Sequence, residues 1–132
     1  MNRRAVLGIT PRVLQQELDE NKAVVVDVRD DDFDGGIPSC IHKPSEVFGV
    51  TDLEELAEAY VGRPISVVFY CMLSQSRGPN AARTFLTHLQ KKYPEFECSV
   101  KVLNGGWAAW AEWEAEQEAT EQSKRPVQEE GT

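Results

Sequence analysis

The sequence predicts an α/β domain built on a central, mostly parallel β-sheet with helices on both faces. Three observations predict it. Ala23-Val24-Val25-Val26-Asp27-Val28 and Ile65-Ser66-Val67-Val68-Phe69-Tyr70 are nearly continuous apolar runs rich in β-branched residues, as strands covered on both faces are. Segments of helical period separate these runs. Strands that alternate with helices imply parallel pairing, with ligands bound outside the carboxyl ends of the strands.

In chain order, Thr10-Pro11 is a helix start, a side-chain cap followed by proline at the first helical position, and Val13, Leu14 and Leu18 continue it. After the first strand, Arg29 to Pro38 form a polar, glycine-rich connection. Its aspartates Asp30, Asp31, Asp32 and Asp34 read as a solvated loop, because calcium-loop spacing is absent. Ile41-His42-Lys43-Pro44-Ser45 is a short extended piece, with His42 structural despite its nearness to Cys40. Thr51 caps a helix carrying Leu53, Leu56, Ala57 and Tyr60. Beyond the second apolar run, Ala82, Phe85, Leu86 and Leu89 share one helix face, with His88 at the surface. Cys98 to Leu103 alternate as a strand, and Asn104-Gly105-Gly106 turn. Trp107, Trp110 and Trp113 recur at helical spacing and read as a core stripe.

One domain is expected over residues 1–117, and a polar, disordered tail over 118–132, where apolar residues nearly vanish. The net charge of −8 speaks against nucleic acid or an anionic membrane as partner, so an anionic substrate must be drawn in by local donors. Cys40, Cys71 and Cys98 leave an odd thiol and form no metal-type spacing, which favours a reducing compartment and no metal. The basic start lacks the apolar segment of a signal peptide. The cytoplasm is the expected location, with the nucleus also open to the protein.

The candidate site is Cys71-Met72-Leu73-Ser74-Gln75-Ser76-Arg77, placed between an apolar strand and a helix. A strand that turns into a helix through a short loop points several backbone N–H groups into one small space. With the positive end of the helix dipole, that arrangement favours an anion. It also favours thiolate at Cys71 relative to a free cysteine of pKa ~8.5. Arg77 adds a planar fork suited to the oxygens of phosphate, arsenate or sulfate.

Four segments together resemble the rhodanese-like domains over about residues 5 to 116. They are Val26-Asp27-Val28-Arg29, Gly35 to Pro44, the Cys71–Arg77 loop, and Val102-Leu103-Asn104-Gly105-Gly106-Trp107. The loop is one residue longer than in rhodanese sulfurtransferases. It is similar to that of the cell-division-cycle dual-specificity phosphatases and the eukaryotic arsenate reductases. The resemblance implies Cys71 as nucleophile, the amides of Met72, Leu73, Ser74, Gln75, Ser76 and Arg77 as an oxyanion cradle, and Arg77 as ligand of two oxygens. It also implies a cysteine-dependent phosphatase of phosphotyrosine or dual-specificity type, with arsenate reductase capability and no bound cofactor.

Substrates would be a phosphorylated protein or a small oxyanion. For arsenate, the resemblance implies glutathione and glutaredoxin as reductant and partner. Two departures stand out. Tyr70 replaces the histidine that usually precedes the cysteine, which implies weaker activity. A histidine common near Gly36-Ile37 is missing, a change expected to affect a turn only. Rhodanese-type thiosulfate sulfurtransfer and a non-catalytic interaction module are the alternatives.

Overall fold

The computed structural model describes residues 5–124. Five strands form one sheet: β1 (Leu7–Ile9), β2 (Ala23–Asp27), β3 (Ile41–His42), β4 (Ser66–Tyr70) and β5 (Ser99–Leu103). Among the described residues, α1 (Pro11–Asp19), α2 (Val50–Tyr60) and α3 (Arg77–Lys92) lie between strands, and α4 (Gly106–Lys124) follows β5. A short 3-10 turn, Ser45–Val47, precedes α2. The strand order is β1-β5-β4-β2-β3, and every pairing is parallel. Both apolar runs of the sequence are thus central strands, β2 and β4, paired from Ala23 with Ser66 to Asp27 with Tyr70.

Side chains of the strands alternate between two cores. Val67 and Phe69 of β4 pack with Leu53, Leu56, Phe85 and Leu89 of α2 and α3. Val68 and Tyr70 face the other way, onto Leu14 of α1 and Trp110 of α4. Trp110 is 1% exposed, so the tryptophan stripe does serve the core. Burying side chains such as Phe85, Leu89 and Trp110 contributes about 1.5–3 kcal/mol each.

Helix starts follow local chemistry. Thr10 Oγ1 accepts from the Val13 N–H at 3.3 Å, with Pro11 in the first turn. α2 begins one residue before the expected Thr51 cap. Gly49 occupies the cap, and the Asp52 carboxylate accepts its N–H at 2.9 Å. The tail boundary also moves: the segment from Glu118 to Lys124, expected to be disordered, continues α4. Alanine, glutamate and glutamine there are good helix formers, and the packed tryptophan turns supply the costly nucleus. The rest of that expected tail, 125–132, lies outside the described residues.

β2, β4 and β5 end at one edge of the sheet. The connections that follow them, from Val28, from Cys71 and from Asn104, therefore gather there.

Candidate active site

Strand β4 delivers Cys71 to that edge. Two-residue alternation keeps Cys71 on the side of Phe69, facing the α2–α3 core, where its thiol is buried. The first turn of α3 lies against it, and the Gly78 N–H donates to Cys71 Sγ at 3.2 Å. Glycine permits this approach. A Cβ at position 78 would lie 3.2 Å from Tyr70 Cα and 3.3 Å from the Cys71 nitrogen.

From the other side, the start of α4 grips the loop. The Trp107 N–H donates to the Cys71 carbonyl at 2.9 Å, and the Ala108 N–H to the Met72 carbonyl at 3.0 Å. Gly106, at φ 63°, allows it: a Cβ would fall 2.4 Å from the Cys71 carbonyl oxygen and 2.7 Å from that of Met72. In a trans peptide the N–H points opposite to the carbonyl, so the Met72 and Leu73 N–H groups point away from α4. None of the N–H groups from Met72 to Arg77 has an acceptor among the described residues. Ser74 adopts the left-handed region at φ 56°, and its hydroxyl is buried without a hydrogen bond. The loop therefore carries N–H groups without acceptors among the described residues, next to a buried thiol.

Arg77 does not lie over the loop unengaged. Its Nη1 donates to Asp32 Oδ1 at 2.9 Å and to Asp30 Oδ2 at 3.3 Å, and its Nη2 donates to Asp32 Oδ2 at 2.7 Å. The Arg77 guanidinium holds the Asp32 carboxyl well below the usual carboxylate range. Burial pushes Asp30 up, but the Ser45 hydroxyl, the Glu46 N–H and Arg77 outweigh it and bring Asp30 down. Asp32 in turn raises Arg77. Both carboxyls are charged in this arrangement, which removes them as proton donors to a leaving group. Asp31 is exposed, and Asp34 lies 3.6 Å from Arg29 Nη1. The solvated-loop expectation is thus corrected for Asp30 and Asp32, which face Arg77. No group of three His, Cys, Asp or Glu is placed to hold a metal among the described residues.

Beneath this loop sits a buried ion pair. Arg29 Nε and Nη2 donate to Asp27 at 2.8 to 3.1 Å, and Nη2 also reaches the Gly35 carbonyl at 2.6 Å. The guanidinium lies 5.1 Å from the Phe33 ring and 4.8 Å from the Trp107 ring. Arg29 thus ties β2 and its following loop to the residue that holds the Cys71 carbonyl. His42 stacks on Phe33 at 3.8 Å and donates from Nε2 to the Arg29 carbonyl at 2.7 Å, a structural role. His88 is not at the surface as expected. It is mostly covered, with Nε2 at 3.2 Å from Glu54.

Tyr70 points away from the loop. Its hydroxyl accepts the Ile37 N–H at 3.0 Å. Burial first, then the nearby Asp27 charge, raise the phenol well above its ordinary value despite the Ile37 bond, so it stays neutral. Cys40 packs in this same second core, and burial pushes its thiol up. Cys98 precedes β5, whose Ser99 pairs with Ser66, whereas Cys71 follows the far end of β4. Six residues of strand separate them along the sheet, roughly 20 Å. A groove of about 290 Å³, lined by Ser45, Phe48, Arg77, Asn80, Ala81 and Thr84, opens beside Arg77.

Cys71 and its loop lie between β4 and α3, and Arg77 opens α3, where the sequence placed them. Sequence reasoning missed Asp30 and Asp32 as partners of Arg77, and the loop-gripping role of Gly106. The double glycine ahead of Trp107 was the available signal for the second.

The chain is similar to known proteins in sequence and in fold. The model of the rhodanese-like domain matches residues 10–112. An arsenate reductase of Oryza sativa subsp. japonica is 34% identical over 110 residues, covering 81% of this chain and 83% of that protein. A dual specificity phosphatase of Schizosaccharomyces pombe is 29% identical, over 77% of this chain and 86% of its own. The structure of a yeast protein tyrosine phosphatase of the rhodanese family superposes with a TM-score of 0.70 at 27% identity, covering 86% of this chain and 90% of the other. The protein belongs to the rhodanese-like domain family, with homologues named arsenate reductase and dual-specificity phosphatase.

Proposed function

We propose that this protein is a cysteine-dependent phosphatase with arsenate reductase capability, acting through the Cys71–Arg77 loop. The observation that carries the reading is the buried Cys71 thiol next to a loop, Met72, Leu73, Ser74, Gln75, Ser76 and Arg77, whose N–H groups have no acceptor among the described residues. A tetrahedral oxyanion offers acceptors for several of these donors at once. The names of the homologues support the same chemistry.

Cys71 Sγ accepts the Gly78 N–H in the first turn of α3. In the phosphatase reaction the thiolate attacks phosphorus, the bond to the leaving oxygen breaks, and a phosphocysteine forms. Water then cleaves the S–P bond, releasing phosphate and restoring the thiolate. Loop amides and Arg77 bear the charge on the equatorial oxygens. The leaving oxygen takes its proton from solvent or from the substrate's surroundings, because Asp30 and Asp32 are held ionised. Tyr70 faces the second core and is engaged by Ile37, so the weaker activity that the missing histidine implied has no contact between residue 70 and the loop to act through.

With arsenate, Cys71 adds to arsenic and a water leaves. A second thiolate then attacks the Cys71 sulfur, the S–As pair stays on arsenic as As(III), and a disulfide forms. Cys40 faces the other core and Cys98 the other end of the sheet. Glutathione therefore fits as the second thiol, with glutaredoxin restoring Cys71. No bound cofactor enters either reaction.

A side-by-side assay with an aryl phosphate, arsenate plus glutathione, and thiosulfate tests the proposal. Activity is expected with the first two and lost in Cys71→Ser. Efficient conversion of thiosulfate to thiocyanate, with neither of the others turned over, would establish sulfurtransfer instead.

A further inference from the structure

A guanidinium presents two edges, each with two parallel N–H groups: Nη1 with Nη2, and Nε with Nη2. In Arg77 the first edge is filled by Asp32, at 2.9 and 2.7 Å. Nε has no acceptor among the described residues. The carboxylates on the filled edge are themselves fixed. Asp32 Oδ1 also accepts the Asp30 N–H at 2.9 Å. Asp30 Oδ1 accepts the Glu46 N–H at 2.9 Å, while its Oδ2 accepts the Ser45 hydroxyl at 2.6 Å as well as Arg77 Nη1. The turn after β2 and the segment after β3 thus converge on one side of a single arginine.

We propose that Asp32, braced by Asp30, is a positioning residue that grips Arg77 by its Nη1–Nη2 edge and leaves the Nε–Nη2 edge for the oxyanion. This rests on the reading of the loop as an oxyanion cradle. Arg77 carries three rotatable bonds beyond Cβ, and an unbraced side chain would have to order itself at each binding event. The brace removes that cost but places two negative charges near an anion site. Charge and positioning therefore push affinity in opposite directions. Loss of a carboxylate favours an anion by electrostatics alone, whereas loss of the grip disfavours it. The sign of the effect decides between them.

The test is calorimetric titration of the full-length protein with inorganic phosphate. Wild type, Asp32→Asn, Asp32→Glu, Asp30→Asn and Asp31→Asn are compared, each with a melting curve. Asp32→Asn should weaken phosphate binding roughly tenfold, the upper end of the cost of ordering one rotamer-rich side chain on binding. Asp32→Glu, which keeps the charge and the paired oxygens, should recover part of it. Asp31→Asn removes a charge from the same loop at an exposed position and should bind phosphate as tightly as wild type or slightly more so. Asp30→Asn withdraws the brace and should weaken phosphate too; it decides the matter if Asp32→Asn does not fold. A folded Asp32→Asn that binds as tightly as wild type, or more tightly, would overturn the positioning role alone. A wild type that binds no phosphate would overturn the oxyanion reading and this inference with it.

Discussion

Tyr70 shows how a neighbour in sequence becomes remote in chemistry. The side chain next to the nucleophile looks positioned to tune it, yet strand alternation sends Phe69 and Cys71 to one face and Tyr70 to the other. Its hydroxyl satisfies the buried Ile37 N–H. Tyr70→Phe should therefore cost about 1–3 kcal/mol by stranding that donor, and leave the rate of Cys71 alkylation unchanged. A lower alkylation rate with an unchanged melting temperature would mean that the hydroxyl acts on the loop after all. The alternation was legible in the sequence, so the orientation could have been read there. The partners of Arg77 could not. Asp30 and Asp32 lie 47 and 45 residues from it, and an acidic cluster looks the same whether it faces water or an arginine.

Elements were legible in proportion to how much they bury. β2 and β4, apolar on both faces, stand out by composition, and α3 by its spaced Ala82, Phe85, Leu86 and Leu89. β1 did not, because it is a three-residue edge strand with Leu7 and Gly8 exposed, whereas β3, though only two residues long, lies within the extended piece read over 41–45. α4 gives the opposite lesson: its last turns are polar but continue a helix already nucleated by packing. From Glu118 to Gln122 the side chains are exposed. A chain ending at Gln117 should melt within about 2 °C of the full chain, since little apolar area is lost. A drop of several degrees would show that the terminal segment packs on the domain.

At the scale of the molecule, the parallel sheet explains why the site exists where it does. Parallel strands present all their carboxyl ends at one edge, so the loops after β2, β4 and β5 meet there and supply Arg29, Cys71 and Trp107 to one structure. The alternating pattern of elements made that edge readable from sequence. The grip of α4 on the loop carbonyls, which depends on Gly106, needed three dimensions. On the proposed function, this edge holds a tetrahedral oxyanion over Cys71. Alkylation of Cys71 by iodoacetamide, followed by mass spectrometry with and without vanadate, tests it most directly. Vanadate should slow modification of Cys71 in the wild type, and this protection should be largely lost in Arg77→Lys, which keeps the charge but not the fork. Equal modification of Cys71 with and without saturating vanadate would contradict the account.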